Sequence, residues 1–210
     1  MKKSIISLVT LFSILVIMVS PVSATCADPN NAPVPIASGR LTFEDGTYCD
    51  IEGKLVSTNT QCRSSSPIHE LTYQFDILAS NIQDASLTVS QLDDTVSSRV
   101  YLTIYYSSQN SPTEYLLTAV SGYWELKDSR VSVESATVTY GCSGFFPTAT
   151  TQHAWDVPVS NNFTCYTGFT NFVNANGGVM GAHLTVNYLM GTARRWSFTI
   201  SNLLFNNNPF

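Results

Sequence analysis

Between Gly122 and Tyr140 the chain reads Gly-Tyr-Trp-Glu-Leu-Lys-Asp-Ser-Arg-Val-Ser-Val-Glu-Ser-Ala-Thr-Val-Thr-Tyr, with apolar side chains at every second position. A period of two is strand chemistry, because successive side chains of an extended backbone leave on opposite faces. The phase changes twice, near Lys127–Ser129 and at Glu134–Ser135. Each change predicts a turn or bulge, since an uninterrupted strand would turn its apolar face into water.

The same alternation recurs along the chain. Leu41 and Phe43 before Asp45-Gly46, and Cys49, Ile51, Gly53 and Leu55 after it, predict a hairpin over Gly39–Val56. Asp-Gly between alternating runs is a strong hairpin signal, because glycine takes the positive φ the turn demands. Further strands are expected around Leu71–Ile77, Ala85–Val89, Val100–Tyr106, Glu114–Val120, Thr151–Val159, Phe163–Phe169, Leu184–Tyr188 and Trp196–Ile200. Ser57–Pro67, Gln109–Pro112, Gly141–Gly144 and Asn174–Gly178 read as loops or turns. Helical spacing is sustained nowhere in the mature chain. The fold expected is all-β: an antiparallel β-prism, β-sandwich or barrel of short strands.

Lys2 and Lys3, an apolar run from Ser4 to Val19 and the small residues Val22-Ser23-Ala24 read as a secretory signal peptide, residues 1–24. The run is shorter than the roughly 20 residues a spanning helix needs, so no transmembrane helix is expected in the mature chain. Pro29, Pro33 and Pro35 mark residues 25–38 as a flexible arm, leaving 39–210 as a single all-β domain in the secretory pathway, the endolysosomal lumen or outside the cell. Without the leader, eight Lys and Arg face 15 Asp and Glu, a net charge near −7. Nucleic-acid binding, which draws its affinity from phosphate neutralisation, is excluded on that balance.

Cys26, Cys49, Cys62, Cys142 and Cys165 follow the leader and lack zinc-site spacing. In an oxidising compartment they read as bridges. The preferred pairs are Cys49–Cys62 and Cys142–Cys165, each bracketing a turn region, with Cys26 left over or paired to Cys62 instead. Asn162-Phe163-Thr164 is an N-glycosylation acceptor, which puts Asn162 on an exposed edge or loop.

Catalytic and cofactor chemistry find no candidate residues. His69, His153 and His183 lack metal or catalytic spacing, although His153 and Trp155 share a strand face; no Gly-x-Ser-x-Gly elbow occurs. Glu44, Asp45, Asp50 and Glu52 cluster across the hairpin, where calcium or a glycosidic bond is conceivable chemistry, but alternation places Asp50 and Glu52 on a solvent face. Tyr101, Tyr105, Tyr106, Tyr115, Tyr123 and Trp124 are candidates either for core packing or for stacking on sugar rings.

Phe163-Thr164-Cys165, then Ala193-Arg194-Arg195-Trp196-Ser197-Phe198-Thr199-Ile200-Ser201-Asn202-Leu203 and Pro209-Phe210, resemble the end of the luminal domain of the vacuolar-type proton ATPase accessory glycoprotein. That domain is related to the luminal domains of lysosome-associated membrane proteins. Tyr123-Trp124-Glu125-Leu126 resembles a strand of that family, and Arg40-Leu41-Thr42-Phe43 with Asp45-Gly46-Thr47-Tyr48-Cys49 resembles its opening hairpin. The resemblance implies a glycosylated, non-catalytic β-prism that assists pump assembly or trafficking by contact with the membrane-sector subunits. The alternative is a secreted adhesion or carbohydrate-binding β-sandwich whose partners are glycans.

Overall fold

The computed structural model describes residues 33–61, 67–82, 96–109, 113–145 and 147–207. Strands dominate them: β1 (Ile36–Phe43), β2 (Tyr48–Glu52), β3 (Lys54–Gln61), β4 (Ile68–Leu78), β5 (Val96–Gln109), β6 (Glu114–Leu126), β7 (Val131–Gly144), β8 (Thr150–Pro158), β9 (Phe163–Tyr166), β10 (Val173–Asn174), β11 (Gly178–Met190) and β12 (Arg194–Asn206). Short 3₁₀ turns lie at Ala79–Ile82 and Ala175–Gly177. Among the described residues no helix is long and apolar enough to cross a membrane.

The strands form two antiparallel sheets. Sheet A has the order β2-β1-β12-β11-β7-β8; sheet B has the order β10-β6-β5-β4-β3, with β9 also paired to β6. Of the architectures the alternation allows, the structure is therefore the two-sheet sandwich and not a three-sheet prism. One hydrophobic cluster fills the space between the sheets, with Leu41, Phe75, Leu102, Ile104, Val138, Leu184, Val186, Phe198 and Ile200 all fully buried. Polar bonds also cross this core. Tyr188 and Ser98 share a hydroxyl bond of 3.1 Å, and the Asn202 amide donates to the carbonyls of Leu71 and Leu102, both at 3.0 Å.

Both phase changes in the opening stretch have structural causes. After Leu126 the chain leaves sheet B, Lys127 and Asp128 donating their backbone N–H groups to the Ser97 carbonyl at 2.9 and 3.1 Å, and re-enters as β7 in sheet A. Farther on, Ser135 lies opposite Asn187 and Val133 opposite Tyr188, which leaves Glu134 as the extra residue of a bulge. The Asp45-Gly46 turn closes β1 onto β2 with Gly46 at φ +83°.

Several expectations need correction. Ile36 to Ser38, assigned to the flexible arm, already pair with Leu203 to Ser201. Lys54 to Val56 do not extend the β1–β2 hairpin; at Gly53 the edge strand passes from sheet A to sheet B. Gly141–Gly144 is strand, not turn: a Cβ on Gly144 would collide with a Val173 methyl, so glycine there serves close strand approach. Phe163–Phe169 is extended only to Tyr166. The strand expected at Ala85–Val89 lies outside the described residues.

The bridges are not found among the described residues. Cys49, Cys142 and Cys165 are free thiols, and Cys62 and Cys26 lie outside the described residues. Burial raises the Tyr140 phenol, and the Cys165 thiol adds to that. Cys165 pairs with Val120 on β6, five residues along that strand from Tyr115, whose carbonyl Cys142 meets. Burial pushes the Cys142 thiol up to about 11, and its Sγ lies 3.7 Å from the Tyr115 carbonyl. Iodoacetamide should therefore label Cys49 and Cys165 in the folded protein but Cys142 only after denaturation. Mass spectrometry of the digests reads this directly, and native labelling of Cys142 at the rate of Cys49 would contradict its burial.

Candidate functional site

Alternation along sheet A sends Leu, Val, Ile and Phe inward and leaves hydroxyls and amides on the outer face. Strand register then assembles these residues into cross-strand rows. Thr139, His183, Ser201, Ser38 and Glu52 form one; Thr137, Thr185, Thr199, Arg40 and Asp50 the next; Ser135, Asn187, Ser197, Thr42 and Tyr48 a third. Neighbours in these rows bond to one another: Thr185 to Thr199 at 2.9 Å, His183 Nδ1 to Ser201 at 2.7 Å, and Asn187 Nδ2 to Ser135 at 2.8 Å. The rotamers of the floor are thereby fixed before any ligand arrives, which lowers the ordering cost of binding.

Two concavities lie on this face. The larger, about 560 Å³, is lined by Ser38, Arg40, Thr42, Asp50, Glu52, Thr199 and Ser201 among others. The second, about 350 Å³, shares Thr42 and continues past Glu44, Glu134, Ser135, Asn187, Arg195 and Ser197. Arg40 organises the first. Its Nε donates to Asp50 Oδ1 at 2.7 Å and its Nη2 to Oδ2 at 3.2 Å, while the guanidinium lies 4.1 Å from the centre of the Tyr48 ring. These bonds hold the Asp50 carboxyl below its ordinary range and raise Arg40 further. Arg195 makes the matching contact in the second, to both Glu134 oxygens at 3.2 and 3.0 Å.

The outer face of sheet B is built differently. Tyr101 stacks on Tyr123 at 4.2 Å, Thr72 bonds Thr103 at 2.9 Å, and Asp76 gathers Arg99 at 2.6 Å, Gln74 and Lys54. Long side chains lie down on that sheet and cover it. Short ones on sheet A leave it hollow.

Of the six aromatic candidates, Tyr115 and Trp124 are buried, Tyr106 packs against the core, and Tyr101 is covered by Tyr123. Among the described residues the exposed rings are Tyr123 itself at 38%, Tyr48 at 60%, Phe145 at 51%, Trp155 at 68% and Tyr166 at 83%. The four hairpin carboxylates do not act as one cluster. Asp45 accepts from the Thr47 N–H and hydroxyl at 2.9 and 2.6 Å and shapes the turn, Asp50 pairs with Arg40, Glu52 ends the first row and Glu44 lines the second concavity. Among the described residues no group of three or more His, Cys, Asp or Glu is placed to hold a metal ion. His69 is a packing residue: it stacks on Tyr106 at 4.9 Å, its nitrogens meet the Thr60 and Ser108 hydroxyls at 3.0 Å, and burial lowers its pKa.

Asn162 lies in the exposed turn between β8 and β9 at φ +61°, with Thr164 also exposed. Its neighbour Asn161 is spent on structure, bonding both the N–H and the carbonyl of Trp124 at 2.9 and 3.0 Å.

No family model matches the chain, and neither the curated proteins nor the solved structures include a significantly similar one. Fold and surface together define a two-sheet β-sandwich carrying a polar groove on one face.

Proposed function

We propose that this is a secreted, non-catalytic binding protein that takes glycans on the outer face of sheet A. The observation that carries the reading is the pair of concavities joined at Thr42, floored by bonded hydroxyls and amides and anchored by the Arg40–Asp50 pair beside Tyr48. Sugars present dense hydroxyls that both donate and accept, and a floor of Ser, Thr, Asn, Arg and carboxylate side chains answers both. Tyr48 adds an apolar ring face at the groove edge. Leader, Ser/Thr/Asn-rich surface and the Asn162 acceptor are consistent with an exported glycoprotein.

Pump assembly, implied by the resemblance, draws no support from the fold, since that reading expects a prism with two bridges. A printed glycan array probed with the purified chain separates the two. Retention of oligosaccharides is expected, with Arg40→Ala weakening it about tenfold, the equivalent of one charge-assisted contact of ~1.4 kcal/mol. An array with nothing retained, together with co-purification of proton-pump subunits, would replace this reading with the other.

A further inference from the structure

Trp155 stands on β8, the outermost strand of sheet A among the described residues, and its exposure has a backbone cause. Tyr140 pairs with Ala154 and Val138 with Val157, so Thr139 faces two residues, Trp155 and Asp156, in a bulge. Asp156 takes φ +47°, a left-handed conformation uncommon outside glycine. The Thr139 hydroxyl holds it there, accepting the Asp156 N–H at 3.0 Å and donating to its carboxylate at 3.3 Å. The bulge keeps both Ala154 and Val157 turned toward the core while Trp155 projects outward, its ring 5.0 Å from that of His153. A strained, buttressed turn that holds a large apolar ring in water has a cost with no return in packing.

We propose that Trp155 is a stacking platform for the sugar ring of a glycan chain that lies across sheet A. Register places it at the head of the row Thr139, His183, Ser201, Ser38 and Glu52, whose far end opens into the larger concavity. From β8 to β2 is five strand spacings of about 4.8 Å, about 24 Å in all. The ligand is thus an extended oligosaccharide of several units, with Trp155 binding one end and the Arg40 groove the other. This rests on the glycan reading above and adds to it a second subsite and a direction.

Trp124 and Trp196 are 7% and 3% exposed, so acrylamide quenching of tryptophan emission reports on Trp155 alone. The test uses the full chain on an array printed with each oligosaccharide as disaccharide and hexasaccharide, followed by quenching with the retained hexasaccharide. We expect the hexasaccharide to bind more tightly than the disaccharide and to shield the quenchable emission. Trp155→Ala should weaken the hexasaccharide about tenfold, the scale of one lost aromatic stack, whereas Trp155→Tyr stays within a few-fold. Retention of a glycan with unchanged quenching and no effect of Trp155→Ala overturns the platform and leaves the Arg40 groove standing. An array with no glycan retained removes both. If Trp155→Ala does not fold, the quenching of the unaltered chain and the Trp155→Tyr variant still decide.

Discussion

Replacing Phe75 by alanine should lower stability by about 3–5 kcal/mol, the range for removing a buried phenylalanine from a packed core. Its ring is fully buried and meets Phe198 edge-on at 6.1 Å. The slot it fills exists because two glycines line it. A Cβ on Gly53 would stand 2.7 Å from two ring carbons of Phe75, and one on Gly39 3.1 Å from Phe75 and 2.9 Å from Phe198. Gly53 is also where the edge strand leaves sheet A for sheet B, so the ring wedges the corner at which the two sheets are joined by continuous chain. Gly53→Ala should therefore cost about 1–3 kcal/mol through overpacking, and almost nothing once Phe75 is already alanine. Urea midpoints for the two single variants and the double variant measure this coupling. Equal costs of Gly53→Ala in both backgrounds would show that the glycine is not there for the ring.

Asn202 should be nearly as sensitive, and in a pH-dependent way. It is fully buried on β12, and its Nδ2 donates to the carbonyls of Leu71 on β4 and Leu102 on β5, so one side chain ties sheet A to two strands of sheet B. Asn202→Ala removes two hydrogen bonds worth about 1 kcal/mol each and opens a small cavity, for about 2–4 kcal/mol in total. Asn202→Asp is worse at neutral pH. A carboxylate in that position faces two carbonyl oxygens and has no donor, so the folded state favours its protonated form and its pKa rises above the ordinary ~3.9. The folded chain then holds a proton that the unfolded chain loses, and stability falls as pH rises through the unfolded value. Denaturation of Asn202→Asp should show greater stability in mild acid than at neutrality relative to the unaltered protein. A variant equally unstable at both would mean that the two carbonyls are not the cause.

Much of the candidate face could be read from the chain, but not as a face. Alternation marks Thr137, Thr139, Thr185, Thr199 and Ser201 as turned away from the core, and the Asp-Gly turn pairs Arg40 with Asp50 by simple counting along the hairpin. The aromatic candidates went astray for a related reason. Tyr101 and Tyr123 do sit on an outer face, as their phase requires, but register stacks them on each other at 4.2 Å. Trp155 left a signal: Ala154 and Val157, both inward, are three apart where a regular strand would space them by two or four. That interval is the sequence trace of the bulge.

Local chemistry determined that this chain is built of strands, where it turns, and which side of each strand is apolar, because pleat and turn geometry are settled within a few residues. Only the tertiary structure decided that β12 closes onto β1, that Cys142 meets Tyr115 while Cys165 pairs with Val120 farther along β6, and that the short polar side chains of five strands meet on one hollow face. Those outcomes depend on which distant segments become neighbours, a choice made by loop closure and by the packing of two whole sheets over one core. No window of the sequence contains both partners.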